Sequence, residues 1–252
     1  MENHLVILAG SNGLIGKSIL DKLIYKDSVD LICLDLYAKN LENKFKNLKN
    51  KKIEFVNVDF IEYEKIKKVI DSLDTSNYSK ISAINSVYIK PKSFGKVLED
   101  LQPNEISHHI ECLLTSSIYF LKVFVEKIQS FQKGHLINFS SIQGLNAPKF
   151  SHYQGTGMHS PIEYSACKAA IINYTKWSAK YYKDLNIRFN CICPGGVLEN
   201  QPLQFQEKYK QDCTSKGLLD PDDISNLVTF LLSNEASTIN GQAIVIDDGW
   251  SL

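Results

Sequence analysis

The sequence predicts an α/β protein with one doubly wound parallel sheet, because short apolar runs alternate with longer amphipathic segments along all 252 residues. Most of the apolar runs lack a period of two, which is typical of strands covered on both faces. Helical periodicity fills most of the segments between them, as βαβ crossovers require. No linker, repeat or low-complexity segment divides the chain, so we expect a single domain over residues 1–252.

The predicted sheet has about seven strands with helices on both faces. The expected strands cover residues 5–9, 31–35, 53–58, 82–85, 136–139, 187–192 and 243–246. The expected helices cover residues 14–25, 63–72, 105–128, 162–184 and 221–232. A lysine- and asparagine-rich stretch at 39–52 predicts a solvated helix and turn. Residues 142–162 show no helical period and hold three glycines and two prolines, which indicates a long loop of the kind that often serves as a lid or binding loop.

Composition limits the classes of partner. Lysine plus arginine and aspartate plus glutamate both number 28, so charge gives no reason to expect nucleic acid or a membrane surface. No apolar run approaches the roughly 18 residues of a membrane span, and the N-terminus lacks signal-peptide features. The six cysteines are scattered, and Cys191 and Cys193 lack a second ligand pair. We therefore expect a cytoplasmic protein with reduced thiols and no metal.

Three glycines follow the first predicted strand and predict a phosphate-binding loop. Gly10 and Gly13 permit a tight turn and close approach of the backbone to a pyrophosphate. Gly16 lets the following helix lie near the strand, and the N-terminus of that helix offers unpaired N–H groups to an anion. Strand, turn and helix in this order are the context that such a glycine motif requires.

Two acidic residues end the next two predicted strands. Asp35 lies 19 positions after Gly16, where a carboxylate accepts hydrogen bonds from both ribose hydroxyls of an adenosine and repels a 2′-phosphate. This favours NAD(H) over NADP(H). Asp59 has two open interpretations, a bond to the adenine amino group or an N-cap for the helix near Glu62.

Tyr164 and Lys168 are four residues apart on a predicted helix and therefore share one face. A nearby cation lowers a phenol pKa from about 10 toward neutrality, which suits an acid/base group. Ser141 follows a strand at the sheet edge where ligands collect in α/β proteins. The plainer interpretation of these residues is an exposed helix face and a turn serine.

Together these residues resemble the short-chain dehydrogenase/reductase family, over essentially the whole chain. The resemblance implies a single-domain Rossmann fold and hydride transfer between NAD(P) and an alcohol or carbonyl. It implies that Tyr164 is the general acid/base, Lys168 its partner and a ribose ligand, and Ser141 the donor to the substrate oxygen. It further implies cofactor contacts from Gly10, Asn12, Gly13, Leu14, Ile15, Gly16, Asp35, Asp59, Phe60, Asn85, Tyr164, Lys168, Pro194, Gly195 and Val197.

The chain departs from the family pattern in several places, and three of them concern the neighbourhood of the catalytic candidates. The usual Asn-Asn-Ala-Gly is replaced by residues 85–88, which puts the bulky Tyr88 near the cofactor. The helix asparagine of the family's catalytic tetrad has no match, and Thr115 or water would have to replace it. Ser141 precedes Tyr164 by 23 positions, about ten more than usual in the family, and the extra residues belong to the 142–162 loop.

That loop and the C-terminus are similar to the flagellin modification protein A subgroup, whose members belong to bacterial routes to nonulosonic-acid-type sugars. The resemblance implies a sugar, sugar phosphate or nucleotide sugar as substrate. The candidate substrate contacts are Tyr88, Gln143, His152, Thr156 and His159. Alternatives are a structural loop at a subunit contact, a reductase of an apolar carbonyl such as a 3-oxoacyl thioester, and a non-catalytic dinucleotide sensor.

Family members often form oligomers, so we expect a homotetramer or homodimer. Tyr174, Trp177 and Tyr181 would supply an apolar patch for that contact, although a core-facing helix surface explains them equally well.

Overall fold

Seven parallel strands form one sheet, in the spatial order β3-β2-β1-β4-β5-β6-β7. The computed structural model describes residues 3–45, 52–129 and 133–252. The strands are β1 His4–Ala9, β2 Val29–Asp35, β3 Ile53–Asn57, β4 Lys80–Asn85, β5 Gly134–Phe139, β6 Ile187–Pro194 and β7 Ala243–Ile246. Since β1 lies between β2 and β4, the strand order reverses at β1, and this switch point is where such sheets bind ligands. The predicted doubly wound sheet is confirmed.

Helices cover both faces of this single domain. They are α1 Leu14–Leu23, α2 Glu42–Phe45, α3 Tyr63–Ser72, α4 Pro103–Ile110, α5 Ser116–Ile128, α6 Ile162–Tyr181, α7 Leu203–Gln211 and α8 Pro221–Leu232. One apolar core holds buried residues of α1 and α8, and the other holds buried residues of α3 and α5. Every residue of β1, β4 and β5 is buried, which explains why these runs show no alternation.

The helix predicted at 105–128 is not α-helical throughout. The segment expected at 105–128 begins at Pro103 and contains a π-helical turn, Glu111–Thr115, between α4 and α5. Gln102 and Glu105 form a capping box, and Pro103 occupies the first turn, so the N-terminus follows the usual capping rules. The π turn includes Thr115, the residue suggested as a substitute for the unmatched asparagine.

Helix α7 was not predicted, whereas α2 lies in the segment expected to form a helix and turn. A 3₁₀ turn, Ala38–Leu41, and α2 cover the start of the expected 39–52 helix, while residues 46–51 lie outside the described residues. Helix α7 begins after Pro202 and buries Phe205 and Tyr209 on one face. Helix α6 ends at Tyr181, three residues before its predicted end.

The aromatic residues of α6 divide between core and surface. Trp177 and Tyr181 stack at 4.4 Å between ring centroids and are 54% and 65% exposed. Tyr174 instead points inward, where its hydroxyl lies 2.6 Å from Oγ of Ser117. Only the first two therefore form a surface patch.

Within the described ranges, no helix is both long and apolar enough to cross a lipid bilayer. All six cysteines are free thiols, and every one except Cys213 is buried.

Candidate active site

A cleft of about 740 Å³ opens at the carboxyl edge of the sheet. Residues at the ends of five strands reach its wall, namely Gly10, Asp35, Ser86, Ser141 and Pro194. Parallel strands place their carboxyl ends at one edge, which is why residues distant in sequence meet here. Most of the predicted cofactor residues line this cleft: Gly10, Asn12, Gly13, Leu14, Ile15, Asp35, Asp59, Phe60, Tyr164, Lys168, Pro194, Gly195 and Val197.

The glycine loop leaves no room for side chains at two positions. A Cβ on Gly10 would lie 2.7 Å from the carbonyl group of Ser86, and Gly10 has a φ of 81° that favours glycine. A Cβ on Gly16 would lie 2.0 Å from the carbonyl oxygen of Gly10. Gly16 was predicted to contact the cofactor, but it is buried and does not line the cleft, so its role here is to let α1 approach the loop. Gly13 is the N-cap residue of α1 and forms no side-chain hydrogen bond to the helix. The N–H groups of the first turn are therefore available to an anion.

The Asp35 carboxylate faces this loop. One of its oxygens accepts from the Asn12 amide at 3.1 Å, and the other accepts from the Tyr37 amide at 3.0 Å. The side chain is therefore fixed between the glycine loop and the end of β2, with lone pairs remaining for further donors.

Asp59 also lines the cleft, and its carboxylate accepts from the Ile61 amide at 3.1 Å. Helix α3 is instead capped at Glu62, so Asp59 is not the N-cap that was one of its two interpretations.

Asn85 is placed differently from the prediction, because its side chain does not reach the cleft wall. Its amide points into the protein and donates to Oγ of Ser117 at 2.8 Å. Ser86 takes the wall position, and its hydroxyl donates to the carbonyl oxygen of Ala9 at 2.7 Å. Asn85 therefore holds the end of β4 from behind.

Ser141, Tyr164 and Lys168 meet at the floor of the cleft. Tyr164 lies in the first turn of α6 and Lys168 lies one turn later, with its Nζ atom 5.5 Å from the centroid of the Tyr164 ring. The Ser141 hydroxyl is near enough to the Tyr164 hydroxyl to lower the pKa of the phenol. Lys168 is only 6% exposed, and its Nζ donates to the carbonyl oxygen of Phe139 at 2.9 Å.

The electrostatics of this group differ from the prediction. Burial raises the pKa of Tyr164 to about 12, although the Ser141 hydroxyl acts in the opposite direction. Burial also lowers the pKa of Lys168 to about 8, because desolvation penalises its cation. The expected lowering of the Tyr164 pKa is therefore wrong for this arrangement, in which the ammonium bonds to a backbone carbonyl.

Tyr88 lies beside the catalytic candidates. Its ring packs edge-on at 5.8 Å from the rings of both Tyr164 and Phe94, and the Phe94 ring lies 6.1 Å from that of Tyr164. Burial raises the pKa of Tyr88 far above its usual range, so its hydroxyl stays neutral. Thr115 does not line the cleft, so the structure does not place it where the missing asparagine would act.

Two of the substrate contacts predicted in the 142–162 loop line the cleft. Gln143 lines the cleft, donates to the Tyr153 hydroxyl at 3.0 Å and accepts from Ser160 at 2.9 Å. His152 also lines the cleft, and its Nε2 lies 2.5 Å from a carboxylate oxygen of Asp212 at the end of α7.

Thr156 and His159 are not on the cleft wall. The Thr156 hydroxyl donates to the Tyr153 carbonyl at 2.6 Å, so it serves the turn of the loop itself. His159 is exposed on the outer surface of the loop.

Comparison with known proteins identifies the family of this chain. A family model described as Enoyl-(Acyl carrier protein) reductase matches residues 15–251. Over its full length the chain is 37% identical to "Post-translational flagellin modification protein A" of Campylobacter coli, and covers 100% of that protein. The chain belongs to the short-chain dehydrogenase/reductase family. This is a family of oxidoreductases.

Two further family members are similar along the whole chain. The "7alpha-hydroxysteroid dehydrogenase" of Bacteroides fragilis is 25% identical, with 100% of this chain and 95% of that protein covered. The crystal structure of a short-chain dehydrogenase from Leptospira borgpetersenii with bound NAD⁺ superposes with a TM-score of 0.85 at 25% identity. That match covers 100% of this chain and 94% of the other.

Among the cleft residues of this dehydrogenase/reductase chain that were not predicted, three are aromatic residues that pack against one another. They are Phe205 and Tyr209 of α7 and Trp250 near the C-terminus. The Tyr209 hydroxyl accepts from the Gly196 amide at 2.7 Å, and Trp250 stacks on the Tyr209 ring at 5.8 Å. Helix α7 therefore supports the glycine turn after β6. The signal that could have revealed it is an aromatic pair spaced i, i+4 directly after Pro202.

Proposed function

We propose that this chain is an NAD(H)-dependent oxidoreductase that interconverts an alcohol and a carbonyl on a polar, sugar-type substrate. The observation that carries the proposal is the meeting of Ser141, Tyr164 and Lys168 in the same cleft as the glycine loop and Asp35. An acid/base tyrosine and a dinucleotide site in one cleft are what hydride-transfer chemistry requires.

The residues of the cleft fit a dinucleotide. The backbone of Gly10 and Gly13 and the uncapped end of α1 line the cleft and would hold the pyrophosphate. Asp35 would accept from the adenosine ribose and repel a 2′-phosphate, which favours NAD(H) over NADP(H). The NAD⁺-bound relative from Leptospira supports this assignment. When bound, the nicotinamide supplies or accepts the hydride.

The protein's own contribution is to hold the substrate oxygen and to move a proton. The Ser141 hydroxyl would hold the substrate oxygen beside the Tyr164 hydroxyl. A pKa of about 12 keeps that phenol protonated at neutral pH, so it is ready to donate to a carbonyl oxygen during reduction.

The oxidation direction needs the opposite protonation state. Deprotonating Tyr164 near pH 7 would cost about 7 kcal/mol, since each pKa unit corresponds to about 1.4 kcal/mol. We propose that Lys168 reduces this cost by moving its ammonium from the Phe139 carbonyl toward the phenol oxygen. The flexible lysine stem makes such a shift feasible.

Sugar-type substrates are favoured by the polar groups of the outer cleft. Gln143, His152, Tyr153 and Gln201 line it beside the aromatic residues, and together they offer donors and acceptors to hydroxyl groups. Similarity to the Campylobacter flagellin modification protein supports a sugar, sugar phosphate or nucleotide sugar of bacterial surface-glycan biosynthesis. We place the protein in the cytoplasm as a homo-oligomer, with Trp177 and Tyr181 as the candidate contact.

A second candidate function is reduction of an apolar carbonyl such as a 3-oxoacyl thioester. The observation that favours it is the aromatic wall formed by Phe205, Tyr209 and Trp250, which would accept an acyl chain.

One experiment separates the two candidates. The purified chain is assayed by NADH absorbance, in both directions, against phosphorylated sugars, nucleotide-linked sugars and 3-oxoacyl thioesters, with Tyr164→Phe as the inactive control. We expect kcat/KM for at least one sugar class to exceed that for every thioester by about tenfold or more, a transition-state difference of about 1.4 kcal/mol. Faster turnover of a thioester would favour the second candidate. NADH binding without turnover of any substrate would contradict the enzymatic proposal.

A further inference from the structure

A buried histidine–glutamate pair lies directly behind the catalytic candidates. His109 on α4 is fully buried and Glu163 on α6 is 4% exposed. The His109 Nδ1 atom lies 2.5 Å from Oε1 of Glu163, and its Nε2 atom lies 2.8 Å from the hydroxyl of Ser93. Neither His109 nor Glu163 lines the cleft, so the pair is separate from the residues that would touch cofactor or substrate.

Stability alone does not account for this pair. Removing a carboxylate from water is costly, and a well-packed apolar pair in its place is often as stable. The second carboxylate oxygen of Glu163 has no hydrogen-bond partner among the described residues, which adds to the cost. The N-terminal turn of α6 offsets part of it, because a helix dipole favours an acidic group there.

Glu163 directly precedes Tyr164, so the first link to the site runs through the backbone. The hydrogen bond between the two side chains ties the first turn of α6 to α4, from which the His109 ring projects. This contact therefore fixes the backbone position of Tyr164 at the start of α6.

The second link runs through aromatic contacts. The Phe94 ring lies 6.2 Å from the His109 ring and 6.1 Å from the Tyr164 ring. The neighbouring Ser93 is hydrogen-bonded to the same histidine. His109 therefore holds the Ser93–Phe94 turn against the Tyr164 ring.

We infer that His109 and Glu163 are positioning residues for Tyr164. The pair fixes the tyrosine backbone through Glu163 and its ring through Phe94, and so sets the direction of the phenol hydroxyl toward the substrate oxygen. This inference rests on the proposed acid/base role of Tyr164. A small misorientation of the Tyr164 hydroxyl slows proton transfer to the substrate oxygen and leaves the cofactor contacts unchanged.

The test compares Glu163→Ala with Glu163→Gln in the full-length protein. The amide oxygen of glutamine still accepts from the His109 Nδ1–H, whereas alanine removes both the acceptor and the charge. The control is Glu111→Ala, which breaks the exposed His108–Glu111 pair of the same helical segment, whose side chains are 50% and 46% exposed.

We expect Glu163→Ala to lower kcat by about tenfold or more while the Kd for NADH stays within about twofold. Glu163→Gln should recover most of the lost kcat, and Glu111→Ala should leave it unchanged. Wild-type kcat in Glu163→Ala would overturn the inference. So would an equal loss of kcat and NADH affinity, which would indicate a merely structural pair.

A second measurement does not depend on turnover. The ring resonance of Tyr164 in protein labelled with ¹³C-tyrosine is assigned by its absence in Tyr164→Phe. We expect it to shift or broaden in Glu163→Ala and to stay in place in Glu111→Ala. An unmoved resonance would overturn the inference. If the resonance moves but the wild-type protein turns over no substrate, the positioning of Tyr164 is supported and the proposed function is contradicted.

Discussion

The Nζ atom of Lys168 donates a hydrogen bond to the carbonyl oxygen of Phe139, the last residue of β5, at 2.9 Å. The Ser140 hydroxyl returns a bond to the carbonyl oxygen of Lys168 at 2.7 Å. These two reciprocal bonds join the strand end that carries Ser141 to the helix that carries Tyr164. The lysine thus has a structural contact in addition to its proposed role toward the phenol.

Lys168 should make stability depend on pH. Its pKa in the folded protein is about 8, below its ordinary 10.5, so between these values the folded state binds fewer protons than the unfolded state. Wild-type stability should therefore rise, relative to Lys168→Met, by about 3 kcal/mol as the pH increases through this window. Urea unfolding at both ends of the window measures this difference.

The control for that comparison is Lys17→Met, which removes an exposed lysine of α1. It should follow the wild-type pH profile. A Lys168→Met profile parallel to wild type would show that the buried lysine is not desolvated as described.

Tyr164→Phe should lower kcat by about a hundredfold or more, the usual contribution of a general acid/base. The ring and its contacts with Tyr88 and Phe94 are kept, so the Kd for NADH should stay within about threefold. Tyr25→Phe, which alters a tyrosine that is 75% exposed, serves as the control. Unchanged turnover in Tyr164→Phe would exclude this residue as the proton donor.

Asp35 should determine the choice of cofactor. We expect the wild type to bind NADH at least about tenfold more tightly than NADPH, because the carboxylate repels a 2′-phosphate. Asp35→Asn should reduce this ratio while keeping one acceptor oxygen, which can serve either the Asn12 amide or the Tyr37 amide. Fluorescence titration with both cofactors measures the ratio, and Glu54→Gln, at an exposed site on β3, is the control. Equal affinities in the wild type would refute the prediction.

Asp212 should control the substrate loop. It accepts from Lys149 at 3.0 Å and lies 2.5 Å from His152, and these two hydrogen bonds hold its pKa below the usual range. Asp212→Asn should loosen the loop and raise KM for the sugar by about fivefold, with the Kd for NADH unchanged.

The control for this change is Glu207→Gln, which neutralises an exposed residue of α7. Deleting residues 149–157 should have a larger effect in the same direction. Equal losses of sugar and NADH affinity would indicate that the loop supports the fold as a whole.

The α/β architecture was predictable because buried parallel strands and amphipathic helices leave local patterns. The glycine loop was predictable for the same reason, since strand, turn and helix are adjacent in the chain. Helix α7 was not predictable from local patterns, because its buried face packs on residues distant in sequence. These are Tyr153, about 50 residues before the helix, and Trp250, about 40 residues after it. Thr156 and Asn85 were predicted to bind ligands because their side chains are polar. In the structure those side chains form hydrogen bonds within the protein instead.

The sequence by itself determined the positions of the strands along the chain, the phosphate loop and the i, i+4 pairing of Tyr164 with Lys168, because each depends on neighbouring residues or on spacing along one helix. Only the tertiary structure decided the protonation of that pair, because desolvation depends on everything packed around it. It alone also placed His109 against Glu163, 54 positions away, since no local pattern records which buried polar groups will meet.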